Sequence, residues 1–198
     1  VIVADDHPLG FTCASGFQRW RDTDVLLGIG TRLELTWFRW PQPPQMPALV
    51  NIDIDPTQMP RLRPQVPVVG DARTATRALT EALLRVGRPR ASRREEFEAL
   101  KARTRAAIQK VQPHIGYLNV MREVLPRDGY FVEEICQTGF TAIFGFPIFA
   151  PRTYVTSGCQ GTLGFGYPTA LGVKAAHPDK AVLSVSGDGG FMFGVQEL

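Results

Sequence analysis

Cysteine is scarce in this chain. Cys13, Cys136 and Cys159 are the only three, no two of them form a CxxC pair, and an odd count leaves one thiol over in any disulfide scheme. That argues against a disulfide-stapled secreted scaffold and for a reducing, cytoplasmic setting. A strong charge of either sign is missing too. Twenty-two Lys and Arg against 19 Asp and Glu leave a net charge of +3, too mild to imply a nucleic-acid partner. Residues 91–111 hold six basic and three acidic residues and account for the whole excess, as the solvated face of a helix would. No apolar run suits a membrane span. The longest uncharged stretch, Thr153–Val173, contains five glycines and Pro168, which fit buried loop and packed helix instead. No signal peptide is legible, because Val1–Ala4 runs at once into Asp5 and Asp6. There is no initiator Met, and Phe191–Leu198 reads as the opening of a helix without a glycine cap or a proline stop. The expectation is a soluble piece of a longer protein, cut inside two structural units.

What is present is ordinary globular composition: 44% hydrophobic and 21% charged residues over 198 positions, which excludes a mainly disordered chain. Val25–Gly30 is a continuous apolar run ending in glycine, the pattern of a strand buried on both faces. Ala48–Ile54 alternates toward Asp53 and Asp55 as a second strand. Residues 41–67 carry eight of the 16 prolines and read as mostly loop, since each proline removes a backbone donor. Asp71–Val86 has helical spacing. Ser92 and Glu95 form a capping-box pattern ahead of an amphipathic helix through Phe97, Leu100, Thr104, Ile108 and Val111. Ile115–Leu125 reads as helix, residues 126–129 as a turn and Tyr130–Ile135 as a strand. A glycine-rich loop follows, then helix at Phe165–Ala176, strand at Ala181–Ser186 and the turn Gly187-Asp188-Gly189-Gly190. Strands alternating with helices predict an α/β chain with parallel sheets flanked by helices. The expected organisation is two partial doubly wound domains, at 1–86 (Rossmann-like, lacking its start) and 113–198, joined by a linker helix at 87–112.

The turn at Gly187–Gly190 is the most informative position. In open α/β sheets ligands collect at the carboxyl ends of strands. Glycines there allow close approach of a phosphate, and an adjacent Asp can hold a divalent cation that bridges phosphate oxygens. A plain strand-to-helix turn with Asp188 as its cap explains the tetrapeptide alone equally well.

Ser157-Gly158-Cys159-Gln160-Gly161-Thr162-Leu163-Gly164-Phe165-Gly166-Tyr167-Pro168, joined to Ala181–Gly189, resembles the cofactor domain of thiamine diphosphate enzymes. The nearest group is the acetolactate synthase and 2-oxo acid decarboxylase family, which includes benzoylformate decarboxylase-like enzymes. Val25–Arg32 and Asn51–Pro56 are similar to that family's central domain. The resemblance implies that Asp188 ligates Mg2+ and that Gly187, Gly189 and Gly190 lie against the diphosphate. It further implies that Gly161 offers its carbonyl to the aminopyrimidine and that Leu163 props the cofactor in a bent shape. The glutamate that protonates the pyrimidine and the asparagine that completes the metal site match no position here. On this reading the chain holds half a cofactor site and no catalytic acid or base of its own. The resemblance implies 2-oxo acid substrates, decarboxylation with or without carboligation, and a homodimer or homotetramer of the full-length protein.

Gly28-Ile29-Gly30 with Asp53 suggests a dinucleotide fold, but Leu33 stands where the third glycine belongs. Some family members bind FAD in the central domain; the acidic pair of the flavin-binding relatives is replaced after Arg32 by Leu33, Glu34 and Leu35, which argues against flavin. A non-catalytic nucleotide- or flavin-binding module is the alternative, with a nicotinamide oxidoreductase third. Asp5-Asp6-His7 reads as a solvated loop rather than a metal cluster, His114 and His177 as surface residues, and Cys159 as a structural thiol. Glu133 and Glu134 approach a site or face solvent at a strand edge.

Overall fold

The computed structural model describes residues 3–88 and 91–198. They divide into two compact units, one made of the described residues of 16–92 and the other of residues 3–15 with 93–198.

In the 16–92 unit three strands, β1 (Val25–Ile29), β2 (Ala48–Asp53) and β3 (Val66–Val69), form a parallel sheet in the order β1-β2-β3. The middle strand carries the burial, with Leu49, Asn51 and Ile52 enclosed. The first strand lies at an edge of the sheet, so Val25 and Leu27 remain 54% and 41% exposed. The expectation that this run is buried on both faces therefore fails, because apolar composition cannot distinguish an edge strand from a central one. The proline-dense stretch is about half loop: β2, a short helix α1 (Gln58–Leu62) and the start of β3 fall within it. Pro67 is tolerated because β3 is an edge strand. Asp71 starts helix α2 (Ala72–Val86) by accepting the Thr74 amide at 2.9 Å, and Gly87, in the left-handed region at φ 56°, ends it.

The glycines of the dinucleotide-like motif have reasons inside the sheet. A Cβ on Gly28 would sit 2.6 Å from Oδ1 of Asn51, and Gly30 has φ +56° with its amide bonded to the Ile52 carbonyl at 2.8 Å. Asp53 turns its carboxylate onto the Asp55 amide at 2.9 Å. These contacts account for the pattern without a nucleotide.

In the other unit β4 (Tyr130–Glu133), β5 (Tyr154–Thr156) and β6 (Val182–Val185) form a second parallel sheet, in the order β5-β4-β6. The core gathers Ile115 and Leu118 of helix α4 (His114–Val124), Ala142 of α5 (Gln137–Gly145), and Leu125, Phe131, Phe146 and Val185. Phe131 stacks on Phe146 and Tyr154 at 4.0 and 5.7 Å between ring centroids. Helix α6 (Gly166–Ala176) packs against β6 and β4, and α7 (Asp188–Met192) follows β6. The stretch read as glycine-rich loop contains α5 and β5. Cys136 begins α5 by accepting the Gly139 amide on its Sγ at 3.3 Å, a weaker cap than an oxygen and one the sequence does not advertise.

Helix α3 (Arg94–Ile108) groups with this second unit: Leu100 is buried and Ile108 packs against the core. Its N-cap position falls at Arg93 rather than Ser92, and Arg93 instead forms two 2.7 Å bonds to Glu96. Residues 89–90, between the two described stretches, lie outside the described residues. No described helix is long and apolar enough to cross a membrane.

Candidate functional site

The carboxyl end of the second sheet is organised by a carboxylate. Glu134 directly follows the middle strand, and its amide bonds to the Val185 carbonyl at 3.0 Å, which fixes the backbone beside β6. The side chain is fully buried. Oε1 accepts the Gly164 amide at 2.6 Å; Oε2 accepts the Gly166 amide and the Ser186 hydroxyl, each at 2.9 Å. One group thus joins the loop that bears Gly161 and Leu163, the start of α6, and the turn that bears Asp188. Glu133 is buried on the other side of the strand and accepts the Tyr154 hydroxyl at 3.0 Å. Burial, and next the neighbouring Glu133, push the Tyr154 phenol far above its ordinary range. The edge reading of the two glutamates is therefore wrong: both point into protein. Alternation along a strand sends adjacent side chains to opposite faces, so a sheet covered on both sides should enclose at least one of them.

The sequence-assigned residues surround this buried clamp. Asp188 is exposed, at the first position of α7, and its carboxylate has no hydrogen bond or ion pair among the described residues. Gly189 faces open space, with nothing within 4 Å of a Cβ built there. Gly190 differs: it is buried, and its Cβ would lie 2.0 Å from Oε1 of Glu134. Its lack of a side chain makes room for the clamp. A Cβ on Gly187 would lie 3.4 Å from the Cβ of Cys136. Gly161 has φ +59°, and a Cβ there would meet Ile135 at 2.4 Å. Leu163 is 48% exposed, unlike a core leucine. The side chain of Cys159 is outside the described set.

A single free carboxylate beside open glycine backbone fits Mg2+ bound through a diphosphate. That ion takes one or two protein carboxylates, phosphate oxygens and water rather than an all-protein cage. No group of three or more His, Cys, Asp or Glu with metal-binding geometry occurs among the described residues, so Asp188 would share the ion with the ligand's own oxygens. The residues present fit the group.

The remaining candidates have structural partners. Asp6 pairs with Arg127 at 2.6 Å, which holds its carboxyl below the ordinary range. Asp5 accepts the Ile148 amide at 2.8 Å and is half buried, so desolvation raises its carboxyl. Lys101 donates to the carbonyls of Asp5 and His7 at 2.9 and 2.7 Å. The segment is tied to its unit through Asp5 and Lys101, while Asp6 and His7 remain exposed. His177 stacks on Tyr130 at 4.8 Å, and His114 lies 3.3 Å from the Thr138 hydroxyl. A cavity of about 410 Å³ lies near Asp5, Lys101, Arg105 and Phe149, and none of the six assigned residues lines it.

Comparison with known proteins agrees in both units. Residues 2–79 match the family model for the central domain of thiamine pyrophosphate enzymes, and residues 135–198 the model for their C-terminal TPP binding domain. A probable 2-ketoarginine decarboxylase of Pseudomonas aeruginosa is 32% identical over 203 residues, covering 100% of this chain and 36% of that protein. The acetolactate synthase large subunit of Haemophilus influenzae is 31% identical over 186 residues, covering 89% and 32% respectively. The large subunit of acetolactate synthase isozyme 3 of Escherichia coli is 29% identical over 188 residues, covering 89% and 33%. The chain spans about a third of the length of these relatives.

Proposed function

Because this chain belongs to the thiamine pyrophosphate enzyme family, we propose that it carries half of a thiamine diphosphate and Mg2+ site in an enzyme acting on 2-oxo acids. The observation that supports this best is the shared carboxylate of Glu134, which ties the Leu163 loop and the Asp188 turn to one end of one sheet. In this reading Asp188 holds the metal, Gly187 and Gly189 border the diphosphate, and Gly190 admits the clamp behind them. Gly161 would offer its carbonyl to the aminopyrimidine and Leu163 would brace the cofactor. When bound, thiamine diphosphate supplies the ylid and the electron sink; the chain supplies orientation, an apolar prop and a metal anchor.

The reaction is decarboxylation of a 2-oxo acid, with release of an aldehyde or transfer to a second carbonyl compound. The relatives divide the same way, between a named decarboxylase and named synthases. A catalytic acid–base group would come from outside this chain, and the working assembly would be a homodimer or homotetramer. A cytoplasmic setting is the proposed location, which the odd and low cysteine count supports.

The test is calorimetric titration of the complete protein with thiamine diphosphate, with and without Mg2+. Binding that needs Mg2+ and is lost in Asp188→Ala, at an unchanged melting temperature, supports the reading. Uptake indifferent to Mg2+, or to the substitution, overturns it. A panel of 2-oxo acids then separates decarboxylation from carboligation by product.

A further inference from the structure

We propose that Glu134 is a positioning residue, whose buried carboxylate holds the loop bearing Gly161 and Leu163 in register with the turn bearing Asp188. The inference rests on the cofactor reading above and extends it to a residue that touches no ligand.

Three observations carry it. The first is the donor set. Two backbone amides and one hydroxyl converge on the carboxylate, at 2.6, 2.9 and 2.9 Å, and a carboxylate is the acceptor-only side chain that can satisfy all three. An amide in its place would turn an NH2 group toward at least one donor. The Ser186 hydroxyl can rotate away from such a clash, whereas the Gly164 and Gly166 amides are fixed in the backbone.

The second is the enclosure. A Cβ on Gly190 would sit 2.0 Å from Oε1, one on Gly166 2.8 Å from Oε2, and one on Gly139 2.1 Å from the Glu134 carbonyl oxygen. Glycines at these places leave the glutamate its room.

The third is connectivity. The donors lie 30, 32 and 52 residues along the chain from Glu134. The contact therefore ties the Gly164–Gly166 segment, which lies beyond the end of β5, to the end of β6, which the sheet already holds beside Glu134. Leu163 is adjacent to Gly164, and Asp188 is two residues from Ser186. A shift of the clamp alters the separation between prop and metal anchor directly.

The experiment uses the complete protein in four forms: wild type, Glu134→Gln, Glu134→Asp and Ser186→Ala. Thiamine diphosphate is titrated at saturating Mg2+, below the melting temperature of every form. Amide hydrogen exchange is followed without cofactor. Glu134→Gln is expected to weaken binding about 10–100-fold, the range found for groups that orient a metal ligand. It should also speed exchange in 163–166 and 187–190 together, with the amides of α4 unchanged. Ser186→Ala removes one rotatable donor and is expected to weaken binding about two- to five-fold. Glu134→Asp keeps the charge but is one methylene short, so it falls between them; it carries the test if the glutamine form does not fold. Wild-type affinity in both Glu134 variants, or faster exchange in one segment alone, overturns the proposal. A wild-type protein that takes up no thiamine diphosphate overturns the cofactor reading instead, and the exchange arm then still decides whether Glu134 ties the two segments.

Discussion

Gly189→Ala and Gly190→Ala differ by one position and should have opposite effects on stability. At Gly190 a Cβ would overlap Oε1 of Glu134 at 2.0 Å and crowd Cδ at 2.7 Å. Relief requires the carboxylate to retreat by roughly 1 Å, which stretches its 2.6 Å bond to the Gly164 amide beyond hydrogen-bonding range. Losing a buried bond to a charged acceptor costs about 1.5–3 kcal/mol, and overpacking adds about 1–3 kcal/mol. The better helix propensity of alanine returns up to about 1 kcal/mol, leaving a net loss of about 1.5–5 kcal/mol. At roughly 2–4 °C per kcal/mol, the melting temperature should fall by about 3–20 °C. Gly189 has nothing within 4 Å of its Cβ position, so alanine there should be neutral or stabilising by up to about 1 kcal/mol. Differential scanning calorimetry of the two variants without cofactor reads the contrast. Equal melting temperatures would refute the reasoning, since the carboxylate could then swing aside at no cost.

Phe131→Ala removes the ring stacked between Phe146 and Tyr154 and should cost about 3–5 kcal/mol in a denaturant titration; a loss below about 1 kcal/mol would mean that this core collapses around the gap. Asp5 has its carboxyl raised by burial, so its favourable contribution is complete below the unfolded carboxylate range and is lost as pH rises through the folded value. Asp5→Asn retains an acceptor for the Ile148 amide and should match or exceed wild type in melting temperature at pH 7. That advantage should shrink toward pH 4, and growth on acidification would contradict the stated cause. If Leu163 braces the cofactor as proposed, Leu163→Ala should lower turnover of the complete enzyme more than it weakens cofactor binding; equal losses, or a large fall in melting temperature, would return Leu163 to a packing role.

The strands at 25–30, 48–54 and 181–186 and the helices at 71–86 and 165–176 are legible because their apolar patterns are local. Asp71 and Gly87 delimit α2 by rules that need no tertiary information. Helix α5 is hidden because its cap is a thiol and its burial depends on how α4 and β4 pack against it, which apolar spacing does not reveal. Strand β3 is hidden by Pro67, which reads as a breaker until its edge position is known. The front of the candidate site is legible for a related reason: glycines and an aspartate at a strand end are local signals. The glutamate behind it is not, because acidic residues are seldom buried without partners, and its partners are at least 30 residues away.

The same division separates the energetics of the site. Asp188, Gly189 and Leu163 are exposed and free to meet a ligand, so their substitution should change binding before it changes folding. Glu134, Gly166 and Gly190 are enclosed, and their substitution should change folding and binding together. Burying a carboxylate is expensive even when it is fully bonded, and an apolar side chain of similar volume often stabilises a protein as well or better. Net stability is therefore a poor explanation for a glutamate at this position. What an apolar side chain could not do is accept the Gly164 and Gly166 amides and the Ser186 hydroxyl at one point. The carboxylate fixes directions as well as filling space, and the directions it fixes are those of the two segments on which a ligand-facing leucine and a metal-binding aspartate would have to agree.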